Sequence, residues 1–327
     1  IEQVAAGLGT VEKNHLLVRY SGQFSVENLN DTKQLEKNED IFVQVHEFET
    51  GEITCAYEPY LTMICDGFRR YMTGTFEEFM ETCDVYYLHR PVLLGYFNQD
   101  NTGREEIILL DEVAYEQERM LAALERMLCA IADRHPVLFV LNRFQLASKS
   151  TMQLTARFLK CENCNIGLVL GVSDIQAMPE FLVPDWEMLY ETLDDGSKIY
   201  HIGNSGRKKE ETIDDEKYVD YGSEKVYRKL QNMVEFLDFD QAAYYLETIE
   251  RKIKFDNLLV DDAARFRMWL LFVKVSILRQ DIPKALEICE DLEKIHLAGK
   301  EEECAYEQDY LIATAYMYQG KLKEALE

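Results

Sequence analysis

Proline and glycine are scarce, with 6 and 16 in 327 residues. That excludes collagen-like and linker-dominated chains. No apolar run reaches the roughly 18 residues that a spanning helix needs, so no membrane segment is expected. Positive charge is also short. Lys and Arg number 35 against 60 Asp and Glu, for a net charge of −25. A surface that acidic repels phosphate backbones, and direct nucleic-acid binding by this segment is not expected. There is no G-x-S-x-G nucleophile elbow and no H-x-x-x-H pair. His15, His46, His89, His135, His201 and His296 are far apart. The acidic pairs Glu105-Glu106, Asp111-Glu112 and Asp194-Asp195 are what chance gives among so many acids, without a positioned partner for acid–base work. No catalytic residue and no metal ligand is expected.

The cysteines are Cys55, Cys65, Cys83, Cys129, Cys161, Cys164, Cys289 and Cys304. They are scattered and mostly in apolar surroundings, which reads as reduced thiols in a cytoplasmic protein. Cys161-Glu-Asn-Cys164 is a lone C-x-x-C. A structural zinc site wants four ligands, and no second pair accompanies it. The pair follows a helical run, whereas a thioredoxin-type pair opens one. It reads as two structural thiols. Ile1–Gly9 does not read as a secretory signal, and Leu322–Glu327 stops inside a helical pattern. The chain is therefore expected to be a piece of a longer polypeptide.

What is present is a globular mixture, 47% hydrophobic and 29% charged. Strands are expected at 15–20, 41–48, 137–141, 165–172 and 198–202. Helices are expected at 26–37, from Tyr57-Glu-Pro-Tyr60 onward with Leu61, Ile64, Phe68 and Tyr71 on one face, and at 116–134, 150–159 and 185–193. Val137–Leu141 is wholly apolar, as a strand covered by helices on both faces should be. Alternation of this kind predicts an α/β domain with a mostly parallel sheet over 1–205. Residues 206–225 are dense in charge and read as a linker. From 226 to 327 the pattern is helical throughout.

That last third repeats. Phe236–Ala242, Leu278–Ala285 and Tyr318–Ala325 each place an apolar residue three positions before a small alanine, just after a turn. The alanines recur at intervals of 43 and 40 residues. Such a period predicts stacked helical hairpins, with the small residue letting two helices approach. The last copy, Ile312-Ala313-x-x-Tyr316-x-x-x-Gly320-x-Leu322-x-x-Ala325, resembles a tetratricopeptide repeat. The resemblance implies a solenoid that binds a protein or peptide partner.

The turn after the first strand stands where a phosphate-binding loop would. A working loop reads G-x-x-x-x-G-K-[S/T]. Laid on the chain from Gly22, its second glycine falls on Glu27, its lysine on Asn28 and its magnesium-binding hydroxyl on Leu29. A carboxylate in place of the glycine would repel a phosphate charge by roughly 4 kcal/mol at about 4 Å and an effective dielectric of about 20. Val137–Leu141 then runs into Asn142-Arg143-Phe144-Gln145-Leu146-Ala147. This stretch resembles the Walker B segment of the STAND-type (AAA+-like) P-loop signalling ATPases, with Asn142 at the magnesium-coordinating acid and Arg143 at the second acid. Tyr57-Glu-Pro-Tyr60 resembles the family's Tyr-x-Pro-aromatic lead-in to the helix after its second strand. Ser150–Leu159, Ile166–Val172, Trp186–Leu193 and Ile199–Ile202 resemble its later core elements in order.

The resemblance implies a P-loop-type α/β fold followed by a helical repeat, in a signalling or regulatory setting. With the lysine, hydroxyl and acids replaced, it implies a pseudo-ATPase with no cofactor and an output module elsewhere in the polypeptide. The alternative is an active ATPase binding ATP and Mg²⁺ through displaced ligands: Lys33, Lys37 or Arg143 on phosphate, and Asp111 or Asp174 on the metal. A third reading is a purely structural helical adaptor.

Overall fold

The computed structural model describes residues 15–20, 40–49, 51–99, 112–161, 164–173, 178–194, 198–202, 220–256, 258–295 and 302–326. It divides into two compact units. The first comprises 1–105 and 118–218; the second comprises 106–117 and 219–327. The helix expected at 26–37 lies outside the described residues.

The first unit is built on five parallel strands: β1 (Leu16–Tyr20), β2 (Phe42–Glu47), β3 (Val137–Asn142), β4 (Ile166–Ser173) and β5 (Lys198–Ile202). Their order across the sheet is β2-β3-β4-β1-β5. The register pairs Phe42 with Val137, Val137 with Ile166, Leu16 with Val169, and Leu16 with Lys198. β3 is buried at every position, as its unbroken apolar run requires. β2 stands at an edge and is half-buried over most of its length.

Helices α1 (Tyr60–Tyr71), α2 (Phe76–Thr82), α3 (Arg90–Asn98), α4 (Val113–Arg134, from Glu118 onward in this unit), α5 (Lys149–Lys160) and α6 (Val183–Asp194) accompany the sheet, with 3₁₀ turns at Phe144–Leu146 and Glu180–Leu182. α1 buries Leu61, Ile64 and Phe68. Its Tyr60 ring meets Phe139 of β3 edge-on at 4.7 Å and Phe158 of α5 at 5.4 Å. Tyr71 stacks on His135 at 4.2 Å. α1 comes close to α4 at Gly67, where a Cβ would lie 2.8 Å from Ile131 Cγ2. α2 starts on a full capping box: Thr75 Oγ1 accepts from Glu78 N, and Glu78 Oε2 accepts from Thr75 N. The α2–α3 stretch carries no clear periodicity. Its aromatic residues form a cluster of their own, with Phe68, Phe76, Phe79 and Phe97 in contact.

The second unit is helical. α7 (Glu224–Glu235), α8 (Phe239–Phe255), α9 (Asp262–Leu278), α10 (Ile282–Glu293) and α11 (Glu302–Tyr318) follow one another. α7 packs on α8, α8 on α9, α9 on α10 and α10 on α11; α9 also touches α7 and α11. α9 is buried nearly all round, including Phe266, Trp269, Phe272, Val273 and Val275, which suits a helix enclosed by its neighbours. Ala242 and Ala285 are fully buried.

The three stretches that recur in the sequence share a backbone feature. Leu237, Gln280 and Gly320, each five positions before a repeat alanine, all have positive φ: 66°, 62° and 79°. Each is followed by the same pair of hydrogen bonds. Leu237 N donates to Val234 O and Asp238 N to Met233 O; Gln280 N to Ile277 O and Asp281 N to Ser276 O; Gly320 N to Met317 O and Lys321 N to Tyr316 O. These are three Schellman turns, ending α7, α9 and α11 alike. Asp281 Oδ1 then accepts from Lys284 N and caps α10. Among the described residues, no helix is long and apolar enough to cross a membrane.

Candidate functional site

In an open parallel sheet a ligand sits outside the carboxyl ends of the strands, where neighbouring strands connect in opposite directions. Here that place lies between β1 and β4. The chain leaves β1 across β4 and β3 to reach β2, and leaves β4 across β1 to reach β5. Gly22, Glu27, Asn28, Leu29, Lys33 and Lys37 follow β1, and Asp174 follows β4; all of them, with Asp111, lie outside the described residues.

Asn142 and Arg143 are described. Asn142 ends β3 and is 2% exposed. Its carbonyl accepts from Phe48 N at 3.1 Å. Arg143 turns the chain with φ 53°, and its Nε lies 3.4 Å from Glu47 Oε1 on the neighbouring strand. Phe144 follows, buried between Phe48 and Trp186. At these two positions the ends of β2 and β3 are tied by the Asn142 backbone carbonyl and by the Arg143 side chain. Arg143 brings a cation to this edge and uses it on a carboxylate of the protein itself.

The segment after β3 is also tied to the lead-in of α1. Thr54 Oγ1 donates to Leu146 O, Tyr57 N donates to Ser150 Oγ, and Thr151 Oγ1 donates to Glu58 O. Ser148, Ser150 and Thr151 are buried and bonded to one another at the start of α5. One turn further on, Tyr60 Oη contacts Thr155 Oγ1 at 2.6 Å, and Thr155 Oγ1 donates to Thr151 O. The phenol is thus the donor in that contact. Burial pushes its pKa well above the ordinary tyrosine value, so it keeps its proton. Tyr57-Glu-Pro-Tyr60 and Ser148–Thr155 form one buried hydroxyl-bonded clasp whose partners are within the protein.

A second constellation lies at the amino ends of the strands. Cys129 on α4, Cys161 at the end of α5 and Cys164 just before β4 bring their sulfurs within 4.8 Å of one another. Cys164 is buried and the other two are half-buried. A hydrogen bond with Cys164, then burial, raises the pKa of Cys129 strongly. The sequence offers the C-x-x-C pair alone, because the third sulfur comes from a helix far upstream. A half-buried cysteine in the last turns of α4 is the one available sign, and many cysteines carry that sign for no reason but packing. Cys65 and Cys83 are pushed up to about 11 by burial and belong to no such group.

No protein family, curated protein or solved structure matches this chain.

Proposed function

We propose that the chain is a cytoplasmic regulatory scaffold. An α/β domain of P-loop type (1–205) no longer processes nucleotide, and a linker (206–225) leads to helical hairpins (226–327) that bind a protein or peptide. Any output module lies outside this segment. One observation carries the reading. At the carboxyl end of β3, a buried amide, Asn142, stands where the acid would be, and Arg143 next to it pairs with Glu47 of the neighbouring strand. Magnesium in nucleotide sites is held by one or two carboxylates alongside phosphate oxygens and water, and neither Asn142 nor Arg143 supplies a carboxylate. The sheet order, with β1 inside between β4 and β5, supports the P-loop part of the proposal. The three matching Schellman turns support the repeat part.

Calorimetric titration of the whole chain with ATP and ADP, with and without Mg²⁺, tests the proposal. No heat of binding up to millimolar nucleotide is expected. Magnesium-dependent micromolar binding would replace the scaffold by an ATPase with displaced ligands, and alanine at Lys33, Lys37, Arg143, Asp111 or Asp174 would then locate them.

A further inference from the structure

We propose that Cys129, Cys161 and Cys164 form a three-thiolate site for a thiophilic metal ion, Zn²⁺ or Cu⁺. Three segments distant in sequence converge on it: the last turns of α4, the end of α5 and the residues leading into β4. It is the group of three or more potential metal ligands found among the described residues. The donor set is all sulfur. That selects zinc or cuprous copper over magnesium, calcium or manganese, which prefer oxygen.

The geometry is close to what such an ion requires. With Zn–S bonds of about 2.3 Å in a tetrahedron, sulfurs stand about 3.8 Å apart. The three sulfurs lie within 4.8 Å of one another. Each therefore has to move by no more than about an ångström to reach bonding distance, which a change of side-chain torsion supplies. Cys164 Sγ lies 3.7 Å from Cys161 O, so the two ends of the C-x-x-C are close together.

Three protein ligands leave one position open on a tetrahedral ion, filled by water or by a ligand from outside. The half-burial of Cys129 and Cys161 leaves that side accessible. Within the first unit, the ion would fasten α4 to the end of α5 and the lead-in to β4. The site sits at the amino ends of the strands, away from Asn142 and Arg143 at the carboxyl ends, so it is independent of the function proposed above.

The test is metal content. The whole chain, expressed and purified under reducing conditions without a histidine tag, is analysed for zinc and copper by mass spectrometry. It is then stripped and titrated with Co²⁺, which reports a tetrahedral thiolate site by its sulfur-to-metal absorption. We expect about one zinc or copper per chain, and its identity assigns the ion. Cys129→Ser and Cys161→Ser are the informative variants, because these half-buried positions tolerate serine. Each should weaken Co²⁺ binding at least about a hundredfold, since even groups behind the ligands cost about 10–100-fold. Cys55→Ser should leave it unchanged. Circular dichroism of each variant establishes that it folds. Three results would overturn the proposal: substoichiometric metal with no thiolate absorption, equal Co²⁺ affinity in folded Cys129→Ser and Cys161→Ser, or a disulfide joining two of the three in protein alkylated directly from cells.

Discussion

Gln280 stands in left-handed backbone with φ 62° at the end of α9, is exposed, and is followed by the Schellman pair of hydrogen bonds. A residue with a Cβ is strained there by about 1–2 kcal/mol, and glycine removes that strain. Glycine also gives the unfolded chain more freedom, which returns about 0.4–1 kcal/mol. Backbone strain and chain entropy together favour Gln280→Gly by about 0.5–1 kcal/mol in the helical unit. Leu237 has the same backbone, with φ 66°, but is 2% exposed. There the loss of a buried leucine, about 2–5 kcal/mol, exceeds the relief. Leu237→Gly should destabilise by about 2–4 kcal/mol. The chain has two tryptophans, Trp186 in the first unit and Trp269 in the second. A Trp186→Phe background makes Trp269 the reporter, and its fluorescence in urea isolates unfolding of the helices. If Gln280→Gly is neutral or destabilising while Leu237→Gly is mild, the three turns are not equivalent, and the repeat loses its structural basis.

Gly67→Ala, ordinarily favourable in a helix, should destabilise by about 1–3 kcal/mol, because the new methyl enters the space of Ile131 Cγ2; Ile131→Ala should suppress the loss in a thermal-melt double-mutant cycle. Thr155→Val leaves the buried Tyr60 hydroxyl without its acceptor and should cost about 1–3 kcal/mol in urea unfolding, most of which Tyr60→Phe should remove in the double variant. In the second unit, the hydrogen bond from Lys284 and then the nearby Lys254 hold Glu287 below the ordinary carboxylate range. A lowered folded-state pKa stabilises fully above the unfolded value of about 4.3 and is lost as pH falls through the folded one. Glu287→Gln should flatten the acid limb of the stability profile below about pH 4.3, leaving the neutral limb unchanged in shape.

The parallel sheet was legible because its strands are short apolar runs bounded by turns, and β3 in particular has no polar alternation to suggest an exposed face. Their order was not legible: β1 lies between β4 and β5, and that adjacency comes from packing after the crossovers. α2 and α3 resisted periodicity because Phe76, Phe79 and Phe97 turn toward Phe68 in a local aromatic cluster, so apolar residues are not confined to one stripe facing the sheet. The helical character of the last third was legible, and the recurrence of its alanines marked where its helices turn. The form of those turns was hidden, since two of the three left-handed positions are leucine and glutamine where the usual signal is glycine. At the candidate site, sequence spacing located Asn142 and Arg143 at a strand end, but the pairing of Arg143 with Glu47 depends on β2 lying beside β3. The thiol trio is the extreme case, because Cys129 joins the C-x-x-C only once α4 is placed.

The end of β3 is proposed to serve the fold and not a nucleotide. Urea unfolding of the wild type and of Asn142→Ala, each with and without millimolar Mg-ATP, tests it most directly. Nucleotide is expected to shift neither curve. A wild type stabilised by about 2.7 kcal/mol, the gain expected at about a hundred times the dissociation constant, together with an Asn142→Ala variant that unfolds normally but loses that gain, would contradict it.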